Sequence, residues 1–121
     1  MIVLIDDERS FINEVDGSIV IRNSREALNW LRKFTSPFNK NSEKIDQLWL
    51  DHDLGIVNEQ KDTIIPFVRK LEELCFFGNH PEIREVIVHT SNSIGGDEIV
   101  ASLKNYYKVK RVFAGDYLTV K

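Results

Sequence analysis

Leu48-Trp49-Leu50-Asp51-His52-Asp53-Leu54-Gly55 runs from apolar residues into two acids bracketing a histidine, then stops on glycine. A buried strand that delivers such a cluster at its end is an ordinary way to build a site edge in an α/β protein. Two other stretches have the same shape. Ile2-Val3-Leu4-Ile5 leads into Asp6-Asp7-Glu8-Arg9, and the apolar run over 84–88 leads into His89-Thr90-Ser91-Asn92.

Between these edges the spacing predicts helices. Asn23 caps the first, with Glu26 three residues on and Ala27, Leu28, Leu31 and Phe34 on one face. Ser36-Pro37 ends it, and residues 35–46 read as a polar connector into a strand over 47–50. After a polar loop over 55–62, a second helix carries Ile64, Phe67, Val68, Leu71, Leu74 and Cys75, with Pro66 in its first turn. Gly95-Gly96 precedes a third, with Ile99, Val100, Leu103 and Tyr106 or Tyr107 inward. A fifth strand over 109–114 leaves seven residues, too few for a closing helix. Residues 10–18 show no helical period. Asp16-Gly17 either turns a hairpin between 11–15 and 18–22 or carries the chain to a parallel strand at 19–21, which the following helix favours.

Alternating strands and helices imply a doubly wound parallel five-stranded sheet with helices on both faces, a reduced first helix and no last one. Ligands bind such sheets beyond the carboxyl ends of the strands, so the three polar edges should meet.

The bulk numbers exclude several classes. The 121 residues suit one domain, 1–121, with 42% hydrophobic and 29% charged residues. A net charge of −3 gives no pull toward duplex DNA or anionic membrane, though it leaves room for a small phosphorylated ligand or an RNA end. No apolar run is long enough to span a membrane, and the first residues lack the form of a signal peptide. One cysteine excludes an internal disulfide and makes the cytoplasm the simplest setting.

Asp6, Asp7, Asp51 and Asp53 converging on one edge would repel, each pair by about 4 kcal/mol at about 4 Å and an effective dielectric near 20. A divalent cation, a basic partner or a proton held at raised pKa must offset this. Oxygen ligands without cysteine favour Mg²⁺ or Mn²⁺, with Asp6, Asp7 and Asp51 as ligands. The alternative is that these acids cap helices and bend turns. Asp53 is placed to reach a metal through water, orient a histidine or cap a turn. His89 suits general acid/base work, and His52, flanked by acids, faces the other way if the strand alternation continues. Thr90, Ser91, Asn92 and Gly95 form a candidate phosphate seat or a plain helix cap, and Arg9 a clamp for phosphate or a partner for Asp7.

The acid pair with Arg9, the Asp51-His52-Asp53-Leu54-Gly55 motif, and His89-Thr90-Ser91-Asn92 with Gly95 together resemble the cyclic-phosphate processing receiver domain family, within the receiver-like (flavodoxin-like) superfamily. The resemblance implies a receiver-like fold and a role in hydrolysing or binding cyclic phosphates on nucleotides or RNA ends. Two departures stand out: Thr90 lies between His89 and Ser91, and the fifth strand ends in Ala114-Gly115 without the lysine of phosphorelay receivers. Three readings follow: a metal-dependent phosphoesterase, a module that sequesters a phosphorylated signal, and a phosphoacceptor switch on Asp51.

Overall fold

The computed structural model describes residues 1–39 and 43–120. Residues 40–42 of the connector expected over 35–46 lie outside them. Strands β1 (Ile2–Ile5), β3 (Ile19–Ile21), β4 (Ile45–Leu50), β7 (Ile83–Val88) and β8 (Val109–Arg111) form one parallel sheet in the order β3-β1-β4-β7-β8. The expected doubly wound sheet is therefore present, and its switch point lies between β1 and β4. Val3 pairs with Ile19 in parallel, which settles the strand at 19–21 against the hairpin. Across the sheet Ile21, Ile5, Leu50, Val88 and Arg111 stand in one row, so the five strands end level.

The helices depart from the expected placement on both faces. Helices α1 (Ser24–Phe34), α2 (Ile65–Phe76) and α3 (Ser93–Leu103) all share one core with Val3, Ile5, Leu48, Leu50, Val86 and Val88. The opposite face, Leu4, Trp49 and Ile87, is covered by Phe11, Ala114 and Leu118. Crossover handedness is the reason. The steps β3→β4, β4→β7 and β7→β8 all move the same way along the sheet, so right-handed connections put their helices on one side. Only β1→β3 runs backward, and its connection holds β2 (Arg9–Phe11) instead of a helix. β2 pairs antiparallel with β9 (Leu118–Val120), and this two-stranded ribbon lies where further helices would pack. Among the described residues no α-helix follows β8, only a 3-10 turn at Ala114–Asp116.

Locally the chain follows its signals. Asn23 accepts from the Glu26 amide at 2.9 Å as the cap of α1, and Pro66 sits in the first turn of α2. Tyr107, not Tyr106, is buried, and its hydroxyl donates to the Pro81 carbonyl at 2.8 Å. Strand β8 stops at Arg111, short of the expected 114, and α3 begins at Ser93, so Gly95 and Gly96 lie inside it. The loop expected over 55–62 is instead a hairpin of β5 (Asp53–Val57) and β6 (Gln60–Thr63). Its turn residues Asn58 and Glu59 both have positive φ, 51° and 65°. Glutamate rarely takes that conformation, so the sequence lacks the Asn-Gly pair that marks such turns. No helix among the described residues is long and apolar enough to cross a membrane.

Candidate functional site

The level strand ends decide the site. One step beyond the last paired row come Arg22, Asp6, Asp51 and His89, on four adjacent strands. The ladder continues into this row: Asp6 donates its amide to Ile21 O (3.0 Å), Asp51 to Ile5 O (3.1 Å) and His89 to Leu50 O (3.0 Å). By strand alternation these side chains share the face of Leu4, Trp49 and Ile87, two residues earlier. Trp49 is thus core, packed edge-on against Phe11 and Tyr117 and 6.0 Å between centroids from the His89 ring.

Asp6 and His89 are 0% and 1% exposed, and His89 Nε2 lies 3.0 Å from Asp6 Oδ2. The other oxygen of Asp6 accepts the amides of Glu8 (2.9 Å) and Arg9 (2.8 Å). Burial opposes the charge on Asp6, but the imidazole and the two N–H groups outweigh it and hold the carboxyl below its ordinary range. An ionised carboxylate only accepts, so the shared proton sits on Nε2. His89 Nδ1 is buried and has no partner.

Asp51 is less covered, and its neighbours leave it under-compensated. Burial, then the charge of Asp6, push its carboxyl up; His89, a hydrogen bond from Thr90 and the charge of Arg9 pull only part of the way back. Asp7 is also raised, first by burial and then by Asp6 and Glu8. Asp6, Asp51 and His89 bring one ligand atom each within 4.8 Å of one another. Asp7, expected as a ligand, is not in that group: Gly55, at φ 76°, brings its backbone so close that a Cβ there would lie 2.8 Å from Asp7 Oδ2. The donors fit a divalent cation. The carboxylates of Asp6 and Asp51 would supply hard oxygens for Mg²⁺ or Mn²⁺, and Asp6 also fixes the His89 ring through Nε2.

The remaining candidates divide. Asn92 caps α3, its Oδ1 accepting the Gly95 amide at 2.9 Å, so that amide is spent on the cap and is not free for phosphate. Thr90 Oγ1 accepts the Asn92 amide at 3.1 Å, and Ser91 is exposed. His52 turns toward α3, where a methyl on Gly95 would overlap its ring; its Nδ1 lies 2.9 Å from Asp53 Oδ1 and 3.4 Å from Asn92 Nδ2. The sequence thus supplies two carboxylate–imidazole pairs, Asp6–His89 in the row and Asp53–His52 beside α3. Lys110 binds Glu85 at 2.9 Å and Arg111 binds Asp97 at 2.5 Å, so neither stands as the missing phosphorelay lysine. Sequence reasoning passed over Arg22. Its guanidinium donates to the carbonyls of Asp6 (3.2 Å) and Arg9 (2.5 Å) and to Ser10 Oγ (3.1 Å), tying down the acid loop. Its only sequence signal is a position just past a strand.

In comparison with known proteins, the cyclic-phosphate processing receiver domain family matches residues 1–105. No curated protein and no solved structure matches the chain.

Proposed function

The chain belongs to the cyclic-phosphate processing receiver domain family, and we propose that it is a divalent-metal-dependent phosphoesterase that opens a cyclic phosphate. The observation that carries this reading is the single row in which Asp51 stands beside the Asp6–His89 pair. An anionic phosphate cannot approach a lone carboxylate in a half-buried site without compensation. Asp6 and Asp51 would hold Mg²⁺ or Mn²⁺, which supplies Lewis-acid polarisation of a phosphoryl oxygen.

The chain's own groups do the rest. Arg9, Thr90 and Ser91 steady the phosphate. Asp51, the most open of the three, takes the proton of the attacking water as its oxygen bonds to phosphorus. The bond to one ring oxygen breaks, and the proton taken up by Asp51 passes by way of Nδ1 of His89, whose ring Asp6 holds through Nε2, to the departing alkoxide. The product is a phosphate monoester.

The deep burial of Asp6 and His89 favours a second reading, a module that binds a cyclic phosphate without opening it. Purified protein with 2′,3′-cyclic and 3′,5′-cyclic nucleotides and Mn²⁺ or Mg²⁺ tests both. Monoester formation lost in Asp51→Asn supports the phosphoesterase. Calorimetric binding with no product selects the module, and neither product nor binding rejects both.

A further inference from the structure

The outward face of α2 breaks the pattern of a solvent-facing helix. Its inward stripe, Phe67, Val68, Leu71 and Cys75, is buried in the core. On the opposite stripe stand Pro66, Arg69, Glu73 and Phe76, all exposed, with Lys70 half-buried among them. Phe76 is 74% exposed, and Phe77, just past the helix end, 67%. Their rings meet edge-on at 5.2 Å between centroids. Tyr106, itself 41% exposed, joins both phenylalanines, Arg69, Glu72 and Glu73 around a hollow of about 360 Å³. Single apolar residues at a surface need no explanation, but three aromatic rings around one hollow form a patch.

The order of residues along the helix says what this face fits. Counting outward from Leu71, Lys70 is matched by Glu72, Arg69 by Glu73 and Pro66 by Phe76. Each base has an acid, and each apolar end an apolar end, at the same distance on the other side. A two-fold axis joins such a stripe to a copy of itself, because residue i then contacts j while j contacts i. With two α2 helices antiparallel and crossing at the level of Leu71, Arg69 of each copy meets Glu73 of the other, and each Phe76 ring lies on Pro66. Within one chain these charges are only loosely engaged. Lys70 reaches Glu73 at 3.6 Å and Arg69 reaches Glu98 at 3.5 Å, in solvated pairs that are worth little by themselves. Two chains of net charge −3 repel, but over this stripe the bases Arg69 and Lys70 cancel the acids Glu72 and Glu73.

We propose that the outward face of α2 is a self-association surface and that its occupant is a second copy of this chain, packed antiparallel over residues 66–77. The acid row stays open in such a pair, because α2 packs on one face of the sheet and the row shares the other with Leu4, Trp49 and Ile87. One helix pair buries less than the roughly 1,200 Å² of stable complexes, so the dimer is weak and dissociates at roughly 10–1,000 µM.

Sedimentation equilibrium of the full chain, over about 10 µM to about 1 mM, tests this. The expected mass rises with concentration from one chain toward two, and falls back as added salt screens the ion pairs. Phe76→Ser should weaken association about tenfold, the loss of one buried aromatic contact. Arg69→Glu and Glu73→Arg should each abolish it, since either change sets like charges against each other twice. Mixed in equal amounts, the two reversed chains should associate again, as a heterodimer in which every charge at 69 and 73 faces its opposite. All three positions are exposed, so each variant should unfold thermally as the wild type does. A chain that stays monomeric up to about 1 mM leaves the stripe to some other protein and overturns the proposal. Association that survives both charge reversals, or reversed chains that fail to pair when mixed, overturns it as well.

Discussion

The imidazole of His89 reaches across the full width of β4 to the carboxylate of Asp6. Their strands, β7 and β1, are not neighbours, yet Nε2 and Oδ2 are 3.0 Å apart, and Asp51 stands on the strand between them. Both partners are buried, so the pair joins three strands where the sheet meets the ribbon.

Removing His89 leaves a buried, ionised Asp6 with only its two amide donors. His89→Ala should destabilise the fold by about 3–5 kcal/mol, the usual cost of breaking a buried pair. Adding Asp6→Asn should recover a large part of that loss. Urea denaturation at pH 7 measures both; strictly additive losses would contradict the pairing.

The acids of the row respond to pH in opposite senses. Asp6 is depressed in the folded state, so its contribution is present above about pH 4 and fades as pH falls through its folded value. Asp51 is raised, so its contribution is present below about pH 4 and is lost as pH rises through its folded value. Asp51→Asn should therefore raise Tm at pH 7 by a few degrees, with the gain shrinking toward pH 4. A Tm gain constant across pH 4–8 would count against the raised carboxyl.

Divalent cations should reverse that order. At 100 times its dissociation constant, Mn²⁺ should stabilise the wild type by about 2.7 kcal/mol. Asp51→Asn should show little of this shift, and Asp7→Asn most of it, because Asp7 stands outside the ligand group. Thermal scans with and without Mn²⁺ decide it; equal loss in the two variants would restore Asp7 as a ligand.

Gly95 is required by the His52 ring lying against α3. Gly95→Ala should cost more than the helix propensity of alanine returns, and His52→Ala should relieve most of that cost. A coupling of roughly 0.5–3 kcal/mol in the double-mutant cycle is expected, against near zero if the ring moves freely.

Much of this was legible in the chain. The apolar runs ending in acids or histidine located all three edges, the capping pattern placed α1, and the motif trio pointed to the family that matches residues 1–105. The Asp6–His89 pair was not legible, because its members are 83 residues apart and become partners only through strand order and register. Asp7 and Asp6 look equivalent in sequence, yet alternation sends one toward Gly55 and the other under the ribbon.

The hairpin and the ribbon mark the same boundary. An Asn-Glu turn carries no strong local signal, and β2 and β9 are three-residue strands that gain stability only by pairing across most of the chain and covering Trp49. The sequence by itself determined the five strands of the main sheet, the three helices and the residues just past β1, β4 and β7, since hydrophobic period and caps act over a few residues. Only the tertiary structure decided which side chains meet there. Side-chain direction depends on register, and register is set by burial summed over the whole sheet.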